Sequence, residues 1–565
     1  MSICSDHDST IDRIVERNRG LLVPRRQVLA LSALSAAGLS TKQAAAQAAP
    51  PRPSRRQGQI VMGLSQEPTR FHPLQARLEV DEGVHLNLFS ALWSVSPAGD
   101  LVPDLVTEIP SVANGGISAD GLEWRIKLRS GVTWHDGAPF SAEDVKFTLD
   151  LLQNPNFPAM SRNGHALLRD ITVVSPTEIT WRMERFFAPY FAILAWTFIV
   201  PKHVLATVTD HRDPAFNNRP IGTGPFKWGE RRPGDYVRLD ANDRYFGEGP
   251  FVERVIFKYI PEMTVLKTQF VAGAIDAVGI SGITPDNHEE VRRTPGVTLH
   301  KSPTSFVTFF ALNNGIPQFR DPAVRKALYM ALDKQTINRD LFYDANRPTE
   351  SFLPQESWAY NPNLPLHVHD PAQAARMLDG AGWRRGAGGV RMKDGVRLSF
   401  SCSTVAGNHL REQVQQFLQQ SWRPLGIEMT IRNFPAAVMW GDFWRNSEWE
   451  STIVGAIYPT AGDPDVSDRL GSWAIPKRSG AGANQMQYEN AEVDRLLRES
   501  VGLLDRAQRR ANYMKVQEIV REDLPAFPLH QTLLGEGTKK NLHGFTPNIN
   551  YRSNAWNMSQ WYWSA

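Results

Sequence analysis

The sequence predicts an α/β protein of more than one domain, and three observations carry that reading. The chain has 565 residues, more than one ordinary core holds when domains run to about 100–200 residues each. Residues 396–431 read strand, helix, strand, the β-α-β unit that builds a parallel sheet. Residues 94–218 instead carry hairpin signals, which mark an antiparallel-rich α+β domain within the α/β frame.

At the N-terminus, Arg25-Arg26 is followed by an apolar run at 28–39 and by Ala46-Gln47-Ala48, the small-x-small form that a signal peptidase recognises. Residues 1–48 are expected to be a cleavable export signal, because the run is shorter than the roughly 18–20 apolar residues of a membrane span. The adjacent arginines resemble the twin-arginine export motif, with Pro24, Val28 and Ala30 where that motif usually has Ser or Thr, Phe and Lys. Only Cys4 and Cys402 occur. No internal disulfide is therefore expected in the mature chain, and no cysteine stands at a lipoprotein cleavage position. The expected location is the periplasm, with residues 49–58, rich in Pro and Arg, as an exposed linker. Lys+Arg number 62 against Asp+Glu 59, and without residues 1–48 the balance is 56 against 55. Such balance argues against a nucleic-acid partner.

Residues 60–64 form a short apolar run suited to a buried strand, followed by a helical stretch at 86–92. In 120–152, Trp124, Ile126 and Leu128 alternate with charged residues, which predicts a half-buried strand over 123–129. Asp136-Gly137 supplies a turn, and Ser141 with Asp144 supplies a hydroxyl and a carboxylate for the first N–H groups of a helix. Val145, Leu149 and Leu152 give that helix its buried stripe. Residues 171–174 and 178–184 form a hairpin across Ser175-Pro176-Thr177. Strands follow at 236–239, 255–259 and 306–310, with a helix at 263–272 that stops at Gly273. Asp321-Pro322 opens another helix. The crossover helix of the β-α-β unit, 409–422, should turn Leu410, Val414, Phe417 and Leu418 to its sheet. Asn490 and Asp505 should cap helices at 491–504 and 506–522.

The phrase Trp134-His135-Asp136-Gly137 before Ser141-Ala142-Glu143-Asp144-Val145 resembles the signature region of the family 5 extracytoplasmic solute-binding proteins, the peptide and nickel receptors of ABC importers. Further likenesses are Pro220-Ile221-Gly222-Thr223-Gly224-Pro225-Phe226, the stretch 313–333, Pro424-Leu425-Gly426-Ile427 and Gly462-Asp463-Pro464-Asp465. The resemblance implies a periplasmic-binding-protein-like fold of two α/β lobes joined by a hinge, plus the inserted antiparallel-rich domain. Segments 58–93, 219–310 and 528–565 would form lobe I, 94–218 the insertion and 311–527 lobe II. It also implies a monomeric receptor that captures peptides, or else an opine, a glycoside or chelated nickel, and delivers them to the ABC permease subunits of the inner membrane.

The chain holds no Gly-x-Ser-x-Gly, His-Glu-x-x-His, phosphate-loop or Cys-x-x-Cys phrase, so no enzyme, cofactor or metal is expected. A secreted hydrolase working with two carboxylates is the rival class. Asp136 and Asp144 would be its first acids, but they suit a turn and a helix cap. His367 and His369 have a spacing that an extended metal site could use, whereas Asp370 more simply caps the helix at Pro371. Among sixteen tryptophans, Trp440 and Trp444 stand four apart. They suit either a core stripe or a cleft that grips varied side chains. Tyr458, Trp473, Trp358, Tyr360 and Phe71 lie in loop-like contexts, while Trp556, Trp561, Tyr562 and Trp563 suit lobe packing.

By resemblance, Glu67 and Pro68 fall where oligopeptide receptors contact ligand, although an exposed loop charge is an equal reading of Glu67. The stretch 456–465 should border the cleft, placing Tyr458, Thr460 and Asp463 against ligand. Peptide-binding relatives carry an aspartate where Thr460 stands, and it pairs with the ligand's α-amino group. A hydroxyl cannot neutralise a buried ammonium. Free-amine recognition here would then fall to Glu67, Asp463 or another acid, or the ligand is not an ordinary peptide.

Overall fold

The structure, a computed structural model, describes residues 50–564 except 76–77, 209, 211–214, 281, 458–461 and 480–481. The expected export signal therefore lies outside the described residues. No helix among the described residues is long and apolar enough to cross a membrane.

One mixed sheet of eleven strands runs through two α/β lobes. Its centre is a pair of long antiparallel strands, Val297–Leu312 and Ala526–Lys539, in register from Val297↔Lys539 to Ala311↔Ala526. Breaks in register fall between Pro303 and Val307 and between Thr308 and Phe309. On one side of these breaks, Gly537 and Thr538 pair with Ala277–Val278, which leads on to Gln59–Leu64, Arg254–Tyr259, Tyr236–Ala241 and Phe226–Arg232. Beyond Pro303, Phe306–Leu312 pairs with Ser451–Ile457, which leads to Ser399–Ser403 and Glu428–Ile431. The chain thus passes from one lobe to the other within these strands, and proline at the break matches its missing N–H. Sequence reading found only 306–310 of the first long strand, because Lys301, Pro303 and the polar residues around them break the apolar pattern.

The β-α-β unit is as expected: Ser399–Ser403 and Glu428–Ile431 are parallel neighbours and His409–Trp422 crosses between them. Val414, Phe417 and Leu418 are buried in the lobe's core. Leu410 is a correction; it sits in the helix's first turn, beyond the cover of the sheet, and is 37% exposed. Asp321, Asn490 and Asp505 each accept a backbone N–H at the start of their helices, and so does Asp370. The first helix spans Glu79–Leu88 rather than 86–92. His367 Nε2 lies 2.8 Å from the Tyr329 carbonyl, and His369 Nδ1 lies 3.7 Å from Asp333. No group of three or more His, Cys, Asp or Glu among the described residues could hold a metal.

A separate three-stranded sheet, ordered Glu123–Lys127, Glu178–Met183, Leu168–Ser175, has a core of its own. Trp124 and Trp181 face each other in register and stack at 5.8 Å, the cross-strand pairing that stabilises such a sheet. The Ala142–Gln153 helix starts as expected, with Ser141 accepting from Glu143 N and Asp144 accepting from Ser141 N. The other Asp144 oxygen accepts from Lys202 N, so that carboxylate ties three segments together. Asp136 accepts from Ala138 N in the turn and faces His203 at 2.8 Å.

The Gly222-Thr223-Gly224 phrase joins this domain to lobe I. Gly224 N donates to Leu88 O at 2.9 Å, and His135 N donates to Gly222 O at 2.9 Å. A Cβ on Gly222 would stand 1.9 Å from Leu88 O. Only glycine allows that approach.

Candidate ligand-binding cleft

Three hydrophobic cores meet around one cavity of about 720 Å³, within the roughly 300–1,000 Å³ of small-molecule sites. Lobe I contributes Pro73, Leu74, Glu82 and Arg552. The antiparallel domain contributes one wall, with His165, Phe187 and Trp196 among its residues. Lobe II contributes the other, including Asp463, Asp465, Trp473 and Arg498. The walls meet where Ala188 N donates to Val501 O at 2.8 Å and where Arg506 reaches Asp100 at 3.0 Å.

Asp463 is locked in place. Arg509 grips it through two contacts of 2.8 and 2.9 Å, with only 7% and 10% of the two side chains exposed. Arg509 Nε also donates to Ser500 O at 3.0 Å. Burial works against its charge, but Asp463 outweighs it and raises the guanidinium pKa further. Beside this pair, burial and then the Asp463 charge push the Asp465 carboxyl up to about 6, and Asp465 accepts from Ser467 N at 3.0 Å. Trp358 donates to Gly462 O, which fixes the same loop from the other side.

In the opposite wall, His165 lies between Tyr190 Oη at 3.2 Å and Thr197 Oγ1 at 3.3 Å. Burial lowers its pKa to about 4, so it is a neutral polar group at ordinary pH. Glu82 is buried 3.5 Å from Arg552, and burial followed by Glu82 raises the nearby Glu79 to about 7.

Of the residues expected at the site, Asp463 lines this cavity, as does Trp473 among the loop aromatics. Glu67 is paired with Arg231 at 2.6 Å after the first strand, and Pro68 next to it is buried. Neither lines the cavity. Trp440 and Trp444 form an aromatic ladder in lobe II: their rings meet edge to face at 5.4 Å, and Trp444 stacks on buried Trp449 at 5.3 Å. Trp440 is 42% exposed, and the ladder does not line the cavity. Tyr458 and Thr460 lie outside the described residues. Arg185, Trp196, Arg498 and Arg552 escaped sequence reading, since each comes from a different segment and none sits in a motif.

Two α/β lobes, a third domain and a solvent-reachable cavity between them define a solute receptor. The chain belongs to the bacterial extracellular solute-binding proteins, family 5, whose middle region matches residues 100–475. By family it is a solute-binding protein. It is 27% identical to the oligopeptide-binding protein AppA of Bacillus subtilis over 94% of this chain and 96% of that one. The solved structure of that protein with a nonapeptide superposes with a TM-score of 0.72 at 25% identity, covering 90% of this chain and all of the other. The structure of NikZ from Campylobacter jejuni with Ni(L-His) superposes at 0.74, also at 25% identity, over 89% and 99% of the two chains.

Proposed function

We propose that this protein is the periplasmic receptor of an ABC importer, capturing short peptides between its lobes and delivering them to the permease subunits. The observation that carries the reading is the cavity itself, walled by three cores and lined with apolar faces, carboxylates and guanidinium groups together. A peptide offers all three complements: apolar side chains, an ammonium and a carboxylate. The relationship to AppA, named as oligopeptide-binding and solved with a nonapeptide, supports the ligand class. Export by the twin-arginine-like leader and action as a monomer complete the proposal.

With Thr460 where relatives carry an acid, the ligand ammonium is assigned to Asp465. Asp463 is already neutralised by Arg509 and acts by holding the loop. Burial of Asp465 makes its charged form costly, and an incoming ammonium would offset that cost. Trp440, Trp444, Tyr458, Glu67 and Pro68 are tested as further contacts: weaker binding in Trp440→Ala or Tyr458→Ala brings the aromatics in, and unchanged affinity in both removes them.

Native mass spectrometry of the protein purified from the periplasm, followed by calorimetric titration with di- to pentapeptides, tests the proposal. Co-purified peptides and micromolar or tighter binding without turnover are expected. No binding of any peptide, with retention of a nickel chelate instead, would overturn it.

A further inference from the structure

Two guanidinium groups in the cleft have no hydrogen-bond or ion-pair partner among the described residues. Arg185, in the loop after the Glu178–Met183 strand, and Arg498, on the Ala491–Val501 helix, both line the cavity. Neither makes a hydrogen bond or an ion pair with any described residue. Of the other charges of the lining, Arg552 is paired with Glu82 and Asp463 with Arg509, Asp465 is the acid assigned to the ligand ammonium and holds Ser467 N through one oxygen, and Asp468 is exposed.

The two arginines stand on opposite walls, each three residues from the point where Ala188 N meets Val501 O. Each is also set by an aromatic ring. Arg498 lies 4.2 Å over Trp473 and Arg185 lies 5.8 Å over Phe187. Stacking on a ring holds a planar guanidinium while leaving its N–H edge free for a planar bidentate acceptor. Two positive charges entering one cavity repel each other, and an anion between them turns that repulsion into two charge-assisted attachments.

We propose that Arg185 and Arg498 form a two-walled clamp for a carboxylate of the ligand, so that its negative end draws the walls together. In assigning that carboxylate to a peptide the inference rests on the function proposed above, although the clamp itself requires only the carboxylate. A C-terminal carboxylate and an acidic side chain carry the same chemistry, and the experiment separates them.

Wild type, Arg185→Gln and Arg498→Gln are titrated with three pools of di- to pentapeptides: neutral free acids, neutral C-terminal amides, and amides containing Asp or Glu. Both side chains are exposed and unpartnered, so the variants should fold, and Arg185→Lys and Arg498→Lys retain the charge without the fork. Wild type should bind the free acids at least tenfold tighter than the neutral amides. Each Gln variant should lose tenfold or more toward the acids and most of the discrimination, with the Lys variants between. Recovery of affinity with the acidic amides would assign the carboxylate to a side chain. Equal binding of all three pools by wild type, or full discrimination in the Gln variants, overturns the clamp. If no pool binds, the peptide reading fails, and citrate decides the clamp by thermal shift. A stabilisation of wild type lost in Arg185→Gln retains it, whereas no shift, or the same shift in both, overturns it.

Discussion

Replacing Arg509 with methionine should destabilise lobe II by about 3–5 kcal/mol, because it strands a buried carboxylate. The magnitude follows from the geometry. Arg509 makes two contacts of 2.8 and 2.9 Å to Asp463 and a third of 3.0 Å to Ser500 O, almost out of contact with solvent. Methionine restores much of the apolar stem but none of these donors. Asp463 would then face Asp465 without a counter-charge, in surroundings that already raise the Asp465 pKa to about 6. Urea unfolding followed by tryptophan fluorescence at pH 7.5 measures the loss. A double variant, Arg509→Met with Asp463→Asn, should recover part of it, giving a coupling of about 1–3 kcal/mol. A single-variant loss below about 1 kcal/mol, or additive losses in the double variant, would refute the claim that the pair anchors the cleft loop.

Burial depresses His165 from 6.5 to about 4, so it stabilises fully above pH 6.5 and its contribution is lost as the pH falls toward 4. The stability difference between wild type and His165→Gln, measured from pH 7 to pH 4, should drift by as much as about 3 kcal/mol against wild type; a constant difference would show that His165 is not buried neutral. Asp465 has the opposite sign, its folded pKa being raised to about 6 from 3.8: its burden on stability is present above pH 6 and disappears toward pH 4. Asp465→Asn should therefore raise the melting temperature at pH 7.5 and leave it unchanged at pH 4. Gly222→Ala, whose Cβ would meet Leu88 O at 1.9 Å, should cost more than about 4 kcal/mol or abolish folding. Gly380→Ala, a helical site with open space around it, should be neutral or stabilising by up to about 1 kcal/mol.

Where local chemistry decides an element, the sequence was sufficient. Trp124, Ile126 and Leu128 alternate with charges, and Ser141 with Asp144 can satisfy a helix start by themselves, so strand and cap both stand where expected. The Val297–Leu312 strand shows the limit. Residues 297–303 look polar and broken, yet they pair with 533–539, more than two hundred residues onward. That partnership supplies the hydrogen bonds that the local pattern cannot announce. Leu410 shows a smaller version, since helical spacing gives a face but not where the sheet beneath it ends.

The cleft divides in the same way. Asp463 stood in a recognisable polar turn and Trp473 was a visible loop aromatic. Arg185 and Arg498 carried no signal in the sequence, because a guanidinium on an exposed face looks the same whether it borders water or a cavity. Three cores had to be brought together before those residues lined one cavity.

Hydrogen exchange in the presence and absence of a saturating mixture of di- to pentapeptides tests most directly whether the cavity between the three cores holds the solute. Simultaneous protection of 160–165, 185–197, 463–473 and 496–501 is the expected result. Protection confined to 434–449, or no change in any of the four segments while peptide is bound, would contradict the account.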